Sequence, residues 1–195
     1  MLFNVSIGEA LDKLTILEIK LAKIKNQDKL LEIQKEINSL LELLEYKEKY
    51  ALFYKLLYNI NERVWNLQDI IASTECKISN EINILYNKVF DLNQQRFRVK
   101  NMINNSENGI KEQKGYKLKA VCISFNPDFL NEIIPSLLFV MLNYDVIYSK
   151  NKIPIQTSSI CYELPPDNID ILNINDIIIP EDEFTFFSNL FIMPN

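Results

Sequence analysis

The chain has 195 residues, 48% hydrophobic and 24% charged, which is ordinary globular composition for one domain or two small ones. Its net charge of −5 is unevenly placed: 17 basic residues face 16 acidic ones before Gly115, and 4 face 10 after it. An acidic second part without arginine repels phosphate backbones, and the first part has no basic run, so no nucleic-acid partner is expected.

Histidine is absent, which removes Ser-His-Asp and Cys-His nucleophile arrangements, the H-E-x-x-H metal site and the commonest neutral-pH base. The glycines are Gly8, Gly109 and Gly115, so no Walker loop or G-x-G-x-x-G turn can be written, and no cofactor is expected. The apolar run Ile133 to Leu142, interrupted by Pro135 and Ser136, is well short of the ~20 residues of a membrane span. The start, Met-Leu-Phe-Asn-Val-Ser, lacks the basic and small-residue features of an export signal. Cys76, Cys122 and Cys161 are odd in number and form no C-x-x-C pair. A cytoplasmic protein with reduced thiols is the expectation.

In chain order, Leu2 to Val5 is a short apolar lead-in, and Ser6-Ile7-Gly8-Glu9 has the form of a capping box. The helix it opens carries the stripe Ile7, Leu11, Leu14, Leu21 and runs to about Lys25. Asn26-Gln27-Asp28 is a break with Asp28 as N-cap, and the second helix carries Leu30, Ile33, Ile37, Leu40 and Leu44. A third helix carries Phe53, Leu57, Ile60, Val64, Leu67 and Ile71 and ends near Thr74 to Cys76. The fourth, capped by Ser79, carries Ile82, Leu85, Val89, Leu92, Val99 and Ile103. Four such helices suit an antiparallel bundle over residues 1–105.

From Asn104 to Gly109 the periodicity breaks, and 106–116 reads as a linker. A small α/β lobe is expected over 117–195, with a short, mostly parallel sheet. Leu118 to Phe125 reads as a strand, Phe129 to Asn143 as a helix with Pro135 in its first turn, and Asp145 to Tyr148 as a second strand. Ile160 to Leu164, Asp176 to Ile179 and Asn189 to Met193 read as further strands, with a short helix from Asp167 to Leu172. The fold class is therefore α+β.

Two interior positions break the apolar stripes with opposite charge. On the first helix the stripe passes through Glu18, and on the fourth through Arg96, so a forked ion pair between them is expected. Arginine is scarce here, Arg63, Arg96 and Arg98 against eighteen lysines, which marks positions wanting a planar fork. Around this pair stand Lys100, Asn93, Glu9, Asp12 and Lys13, and Trp65 sits on the third helix with Glu62 and Asp69 within one turn. Two readings are open: a buried pair that fixes helix register, or a pocket between helices for a small anionic or sugar-like ligand. In the lobe, Asn126 and Asp128 lie at the carboxyl end of the first strand, where open α/β sheets bind ligands, although helix capping is the favoured account of them. Asp167 and Asp170 and the run Glu181-Asp182-Glu183 offer oxygen ligands, but their placement suits an N-cap and a solvated turn, and no metal is expected.

The segment Val5-Ser6-Ile7-Gly8-Glu9-Ala10-Leu11-Asp12-Lys13-Leu14-Thr15-Ile16-Leu17-Glu18-Ile19-Lys20 resembles the opening of an uncharacterised bacterial family of helical domains, the domain of unknown function 6165. Asn61 to Ile70, Asn93 to Lys100 and Ile110 to Tyr116 fit it too, so the resemblance covers about residues 5–116. It implies a companion of lipopolysaccharide or capsule biosynthesis enzymes and carries over no catalytic residue. Pro166 to Ile179 with Asn189 to Pro194 resembles the middle of glycosyltransferases that add xylose or N-acetylglucosamine, without their histidines or sugar-nucleotide half. The expectation is a non-catalytic binding or interaction protein accessory to cell-surface polysaccharide biosynthesis, with an unknown protein or small anionic or sugar ligand as partner. The alternatives are a glycosyltransferase-like enzyme or enzyme subunit acting on a nucleotide sugar, and a structural homodimer.

Overall fold

The computed structural model describes residues 5–73, 80–107, 109, 115, 118–153, 155, 157 and 159–190. It divides into two compact units, residues 1–112 and 113–195. The expected cap Ser79, most of the apolar lead-in, most of the linker and the end of the expected last strand lie outside the described residues.

The first unit is helical. α1 (Ile7–Lys23) starts at Ser6, whose hydroxyl accepts the Glu9 N–H at 3.4 Å, but the Glu9 carboxylate turns to another helix, so only half of the capping box forms. Lys20 and Lys23 in its last turn suit the negative end of the helix dipole. α2 (Gln27–Asn38) is capped by Asn26, which accepts the Lys29 N–H at 3.0 Å. The cap is thus two residues before the expected Asp28, which stands in the first turn, where its charge faces the dipole.

α2 also stops six residues short of Leu44, and a 3-10 turn at Leu41–Leu43 leads into the short α3 (Leu44–Lys49). Ile33 is the one residue that α2 buries, so little packing extends the helix beyond Asn38. α4 (Ala51–Ser73) and α5 (Asn80–Ser106) complete the unit. α5 runs through the expected break at Asn104, which is buried and bonded to α1 rather than in a linker.

α1 is the central helix and packs against α2, α4 and α5. Its buried arc is therefore broader than the stripe: Leu11, Leu14, Leu17 and Ile19 enter the core with Leu57, Ile60, Val99 and Ile103, whereas Leu21 is exposed. Each fully buried aliphatic contributes roughly 1.5–3 kcal/mol.

The second unit holds a four-stranded, all-parallel sheet of order β3-β2-β1-β4, with β1 Ala120–Ser124, β2 Val146–Ser149, β3 Ile160–Cys161 and β4 Ile171–Asn173. The β1-α6-β2 start is as expected, with α6 at Leu130–Asn143. A capped 3-10 turn, Pro127–Phe129, precedes α6, so Pro135 is inside the helix and not in its first turn, and it denies the exposed Asn131 carbonyl an intrahelical donor. Val121, Ile147 and Ile160 share one buried face by register.

The other face carries Cys122, Tyr148 and Cys161 in one row. Both thiols are free, and two strand spacings of ~4.8 Å hold them too far apart for a disulfide.

Downstream, the expected helix Asp167 to Leu172 is instead a turn, with Asn168 at φ 73°, followed by β4. The expected strand Asp176 to Ile179 is a 3-10 turn, Ile174–Asp176, and an unpaired stretch. The acidic run begins α7 (Glu181–Leu190), which packs on α6 through the buried Phe187, and α7 also takes the start of the expected last strand. The residues from Ile169 to Ile179 satisfy several periodicities, and pairing with β1 selects Ile171–Asn173.

Candidate functional site

α1 and α5 run antiparallel and meet in three polar rungs. At the first, the Gly8 N–H donates to the Asn104 side-chain oxygen at 2.7 Å. A Cβ on residue 8 would lie 2.5 Å from the Lys100 carbonyl oxygen, so glycine sets how closely the helices approach. At the second, Lys100 Nζ donates to Glu9 at 2.6 Å, and the Lys100 side chain is only 11% exposed.

The third rung is a network across α1, α4 and α5. Asp12, fully sequestered, receives the Arg96 guanidinium as a fork, Nε to Oδ1 at 2.7 Å and the terminal nitrogen to Oδ2. The Asn61 amide donates to the same Oδ1 at 2.8 Å and to the Thr15 hydroxyl at 2.8 Å. Thr15 in turn donates to the Asp12 carbonyl at 2.7 Å. A buried carboxylate with three charge-assisted or amide donors satisfies the requirement that buried charge be paired and hydrogen-bonded.

Arg96 thus closes on Asp12, not on Glu18. The expected pair fails on register: Glu18 stands six residues, ~9 Å, further along α1 than Asp12. Glu18 pairs with Lys47 at 2.7 Å, and that ammonium lies 4.6 Å above the Tyr54 ring. Burial, and then the Glu18 charge, hold the Tyr54 phenol far above the usual tyrosine range, so it stays protonated.

One turn beyond the network, α1, α4 and α5 enclose a cleft of about 250 Å³. Ile16, Ile19 and Lys20 line it from α1, Val64, Trp65, Gln68 and Asn61 from α4, and Asn93 and Arg96 from α5. Among the described residues, two cations, three amides and one indole face this space, and no carboxylate does. With Asp12 neutralising Arg96 from behind, one net positive charge remains at the cleft. Such a lining suits an anionic group carrying hydroxyls, with Trp65 offering a flat apolar surface.

Of the residues expected in the cluster, Trp65, Asn93 and Arg96 line the cleft, Asp12 anchors it, and Glu9 and Lys100 pair two turns away. The Asn93 amide donates to the Val89 carbonyl at 2.9 Å. Lys13 is exposed and pairs with Glu36 at 3.4 Å, Asp69 is exposed and outside the lining, and Glu18 belongs to the α3 contact. Sequence reading missed Thr15, Lys20, Asn61 and Gln68. Asn61 carried a signal, being polar at the i+4 position from Leu57 on a buried face.

In the second unit, Asn126 caps its own turn by accepting the Asp128 N–H at 3.1 Å, and Asp128 and Asp167 are exposed. Among the described residues no three Cys, Asp or Glu side chains converge on a metal-sized position, and no helix is long and apolar enough to cross a membrane.

No curated protein and no solved structure matches the chain. A family model does match, over residues 1–131, which takes in the whole helical unit with its polar rungs and cleft. The chain belongs to the family of unknown function DUF6165.

Proposed function

We propose that this chain is a non-catalytic binding protein whose helical unit takes a small anionic, sugar-bearing ligand in the cleft beside Trp65. The observation that carries this reading is the lining, in which, among the described residues, Lys20 and an Arg96 already oriented by Asp12 face the space with three amides and no carboxylate. A volume of about 250 Å³ is slightly below that of drug-sized pockets and suits a single phosphorylated sugar. An accessory role in cell-surface polysaccharide assembly is supported by the resemblance of residues 5–116. A cytoplasmic location is supported by the free thiols Cys122 and Cys161.

Trp65 is the only tryptophan, so its fluorescence reports the cleft directly. Titration with hexose 1-phosphates, nucleotide sugars and inorganic phosphate is expected to give a saturable change that Lys20→Met abolishes. No saturable change up to millimolar ligand, or an unaltered response in Lys20→Met, refutes the reading.

A glycosyltransferase-like activity on a nucleotide sugar is the second reading. It is favoured by the strand order, in which β2 and β4 flank β1, so the carboxyl ends of β1 and β4, with Asn126 and Asn173, border a topological switch point. Stabilisation by nucleotide sugars that is lost in Asp128→Asn but kept in Lys20→Met selects it.

A further inference from the structure

The third rung also fixes the orientation of a group that opens on the cleft. Asn61 is 6% exposed and lines the cleft, and its amide nitrogen gives one N–H to Asp12 Oδ1 and the other to the Thr15 hydroxyl, each at 2.8 Å. The amide cannot turn over, because a carboxylate only accepts and would then face the amide oxygen as a second acceptor. Asn61 Oδ1 is therefore held as an acceptor on the side away from Asp12. No described residue donates to it, and unlike the Tyr54 hydroxyl and Gln95 Oε1 it is not sealed inside the protein. An acceptor so far from bulk water costs about as much as a lost hydrogen bond when it goes unfilled, so the cleft calls for a donor at this point.

We infer that Asn61 sets the specificity of the cleft, its Oδ1 accepting from a ligand hydroxyl on the carbon next to the one that bears the anion. This deepens the binding reading above and rests on it. Position follows from the shared oxygen. Arg96 Nε and Asn61 Nδ2 both bond Asp12 Oδ1, at 2.7 and 2.8 Å, so guanidinium and amide stand at most two hydrogen-bond lengths, ~5.5 Å, apart. A ligand whose anion meets Arg96 then brings its neighbouring hydroxyl to Asn61, not a distant one. Charge decides the kind of donor. The cleft keeps one net positive charge, which repels an ammonium and accepts a neutral hydroxyl. The ligand class is thus a sugar phosphate whose hydroxyl vicinal to the phosphate is free.

The test titrates the full chain with glucose, galactose and mannose 1-phosphates and with the 2-deoxy-2-fluoro and 6-deoxy-6-fluoro analogue of each. Fluorine nearly keeps the size of the hydroxyl and removes its hydrogen. Trp65 fluorescence and calorimetry are both read, at pH 8, where every phosphate is fully ionised. The 2-fluoro analogue of the sugar that binds is expected to bind about tenfold to a hundredfold more weakly, and the 6-fluoro analogue like the sugar itself. Asn61→Ala is expected to bind the sugar and its 2-fluoro analogue alike. Loss of the donors to Asp12 and Thr15 lowers the affinity of both together, and only loss of Oδ1 makes the two equal. If Asn61→Ala misfolds by its far-UV spectrum, the contrast between 2-fluoro and 6-fluoro in the parent chain still decides. Equal affinity of the parent for sugar and 2-fluoro analogue, or a difference that survives in Asn61→Ala, overturns this inference and leaves the binding reading standing. No saturable response to any of the sugars, by either readout, overturns both.

Discussion

Replacing Arg96 with methionine isolates the energetics of the third rung. The change keeps most of the aliphatic stem and removes both fork donors from Asp12, a side chain only 3% exposed, while the arginine itself is 26% exposed. Asn61 alone then serves the carboxylate. Breaking a buried pair from one side costs about 3–5 kcal/mol, because the remaining charge is left without compensation. With a urea dependence of about 1–3 kcal/mol per molar, the unfolding midpoint falls by about 2 M.

Trp65 fluorescence is the assay of choice because it reports the helical unit alone. The Asp12→Leu/Arg96→Met variant removes both charges together and is expected to recover most of the loss, since an apolar replacement of a whole buried pair is often neutral. A single variant costing under about 1 kcal/mol, or a double variant as unstable as the single, refutes the claim that a buried, uncompensated carboxylate sets the cost.

Gly8→Ala forces its methyl to 2.5 Å from the Lys100 carbonyl oxygen and 2.7 Å from the Asn104 side chain, so a thermal melt is expected to show about 1–3 kcal/mol of destabilisation. Asn61→Ala strips one donor from Asp12 and one from Thr15, at about 1–3 kcal/mol, with the far-UV spectrum unchanged. Glu107 accepts Lys49 at 2.6 Å and the Tyr50 hydroxyl, and those hydrogen bonds hold its carboxyl below the usual range. A lowered folded pKa gives stability that is present above the ordinary glutamate value of about 4.3 and lost as pH falls through the lowered one. Glu107→Gln is therefore expected to flatten the acid limb of a melting-temperature profile, and an unchanged limb counts against the pairing.

The elements with strong local signals were legible. The helix start at Ser6 carries a cap signal, and the helical stretches around Phe53 to Ile71 and Ile82 to Ile103 and the β1-α6-β2 start carry periodicity that few alternatives share. The segment after Ile160 was not. Short apolar runs there fit strand and helix alike, and pairing with β1 and packing on α6 decide between them. Arg96 was legible as an interior arginine because it interrupts an apolar stripe.

Its partner was not legible, because choosing among Glu9, Asp12 and Glu18 requires the axial offset between two helices far apart in sequence. That offset is a matter of tertiary packing between α1 and α5, which meet at Gly8 and Asn104, and nothing local encodes it. The amino-acid order alone determined that a helical unit precedes an acidic sheet-bearing one, and that histidine- and glycine-loop chemistries are absent. Only the tertiary structure decided that Asp12 holds Arg96 and that Lys20, Asn61 and Gln68 join Trp65 around one cleft. Hydrophobic periodicity fixes which way a side chain points from its own helix, whereas a site is made by the register between helices.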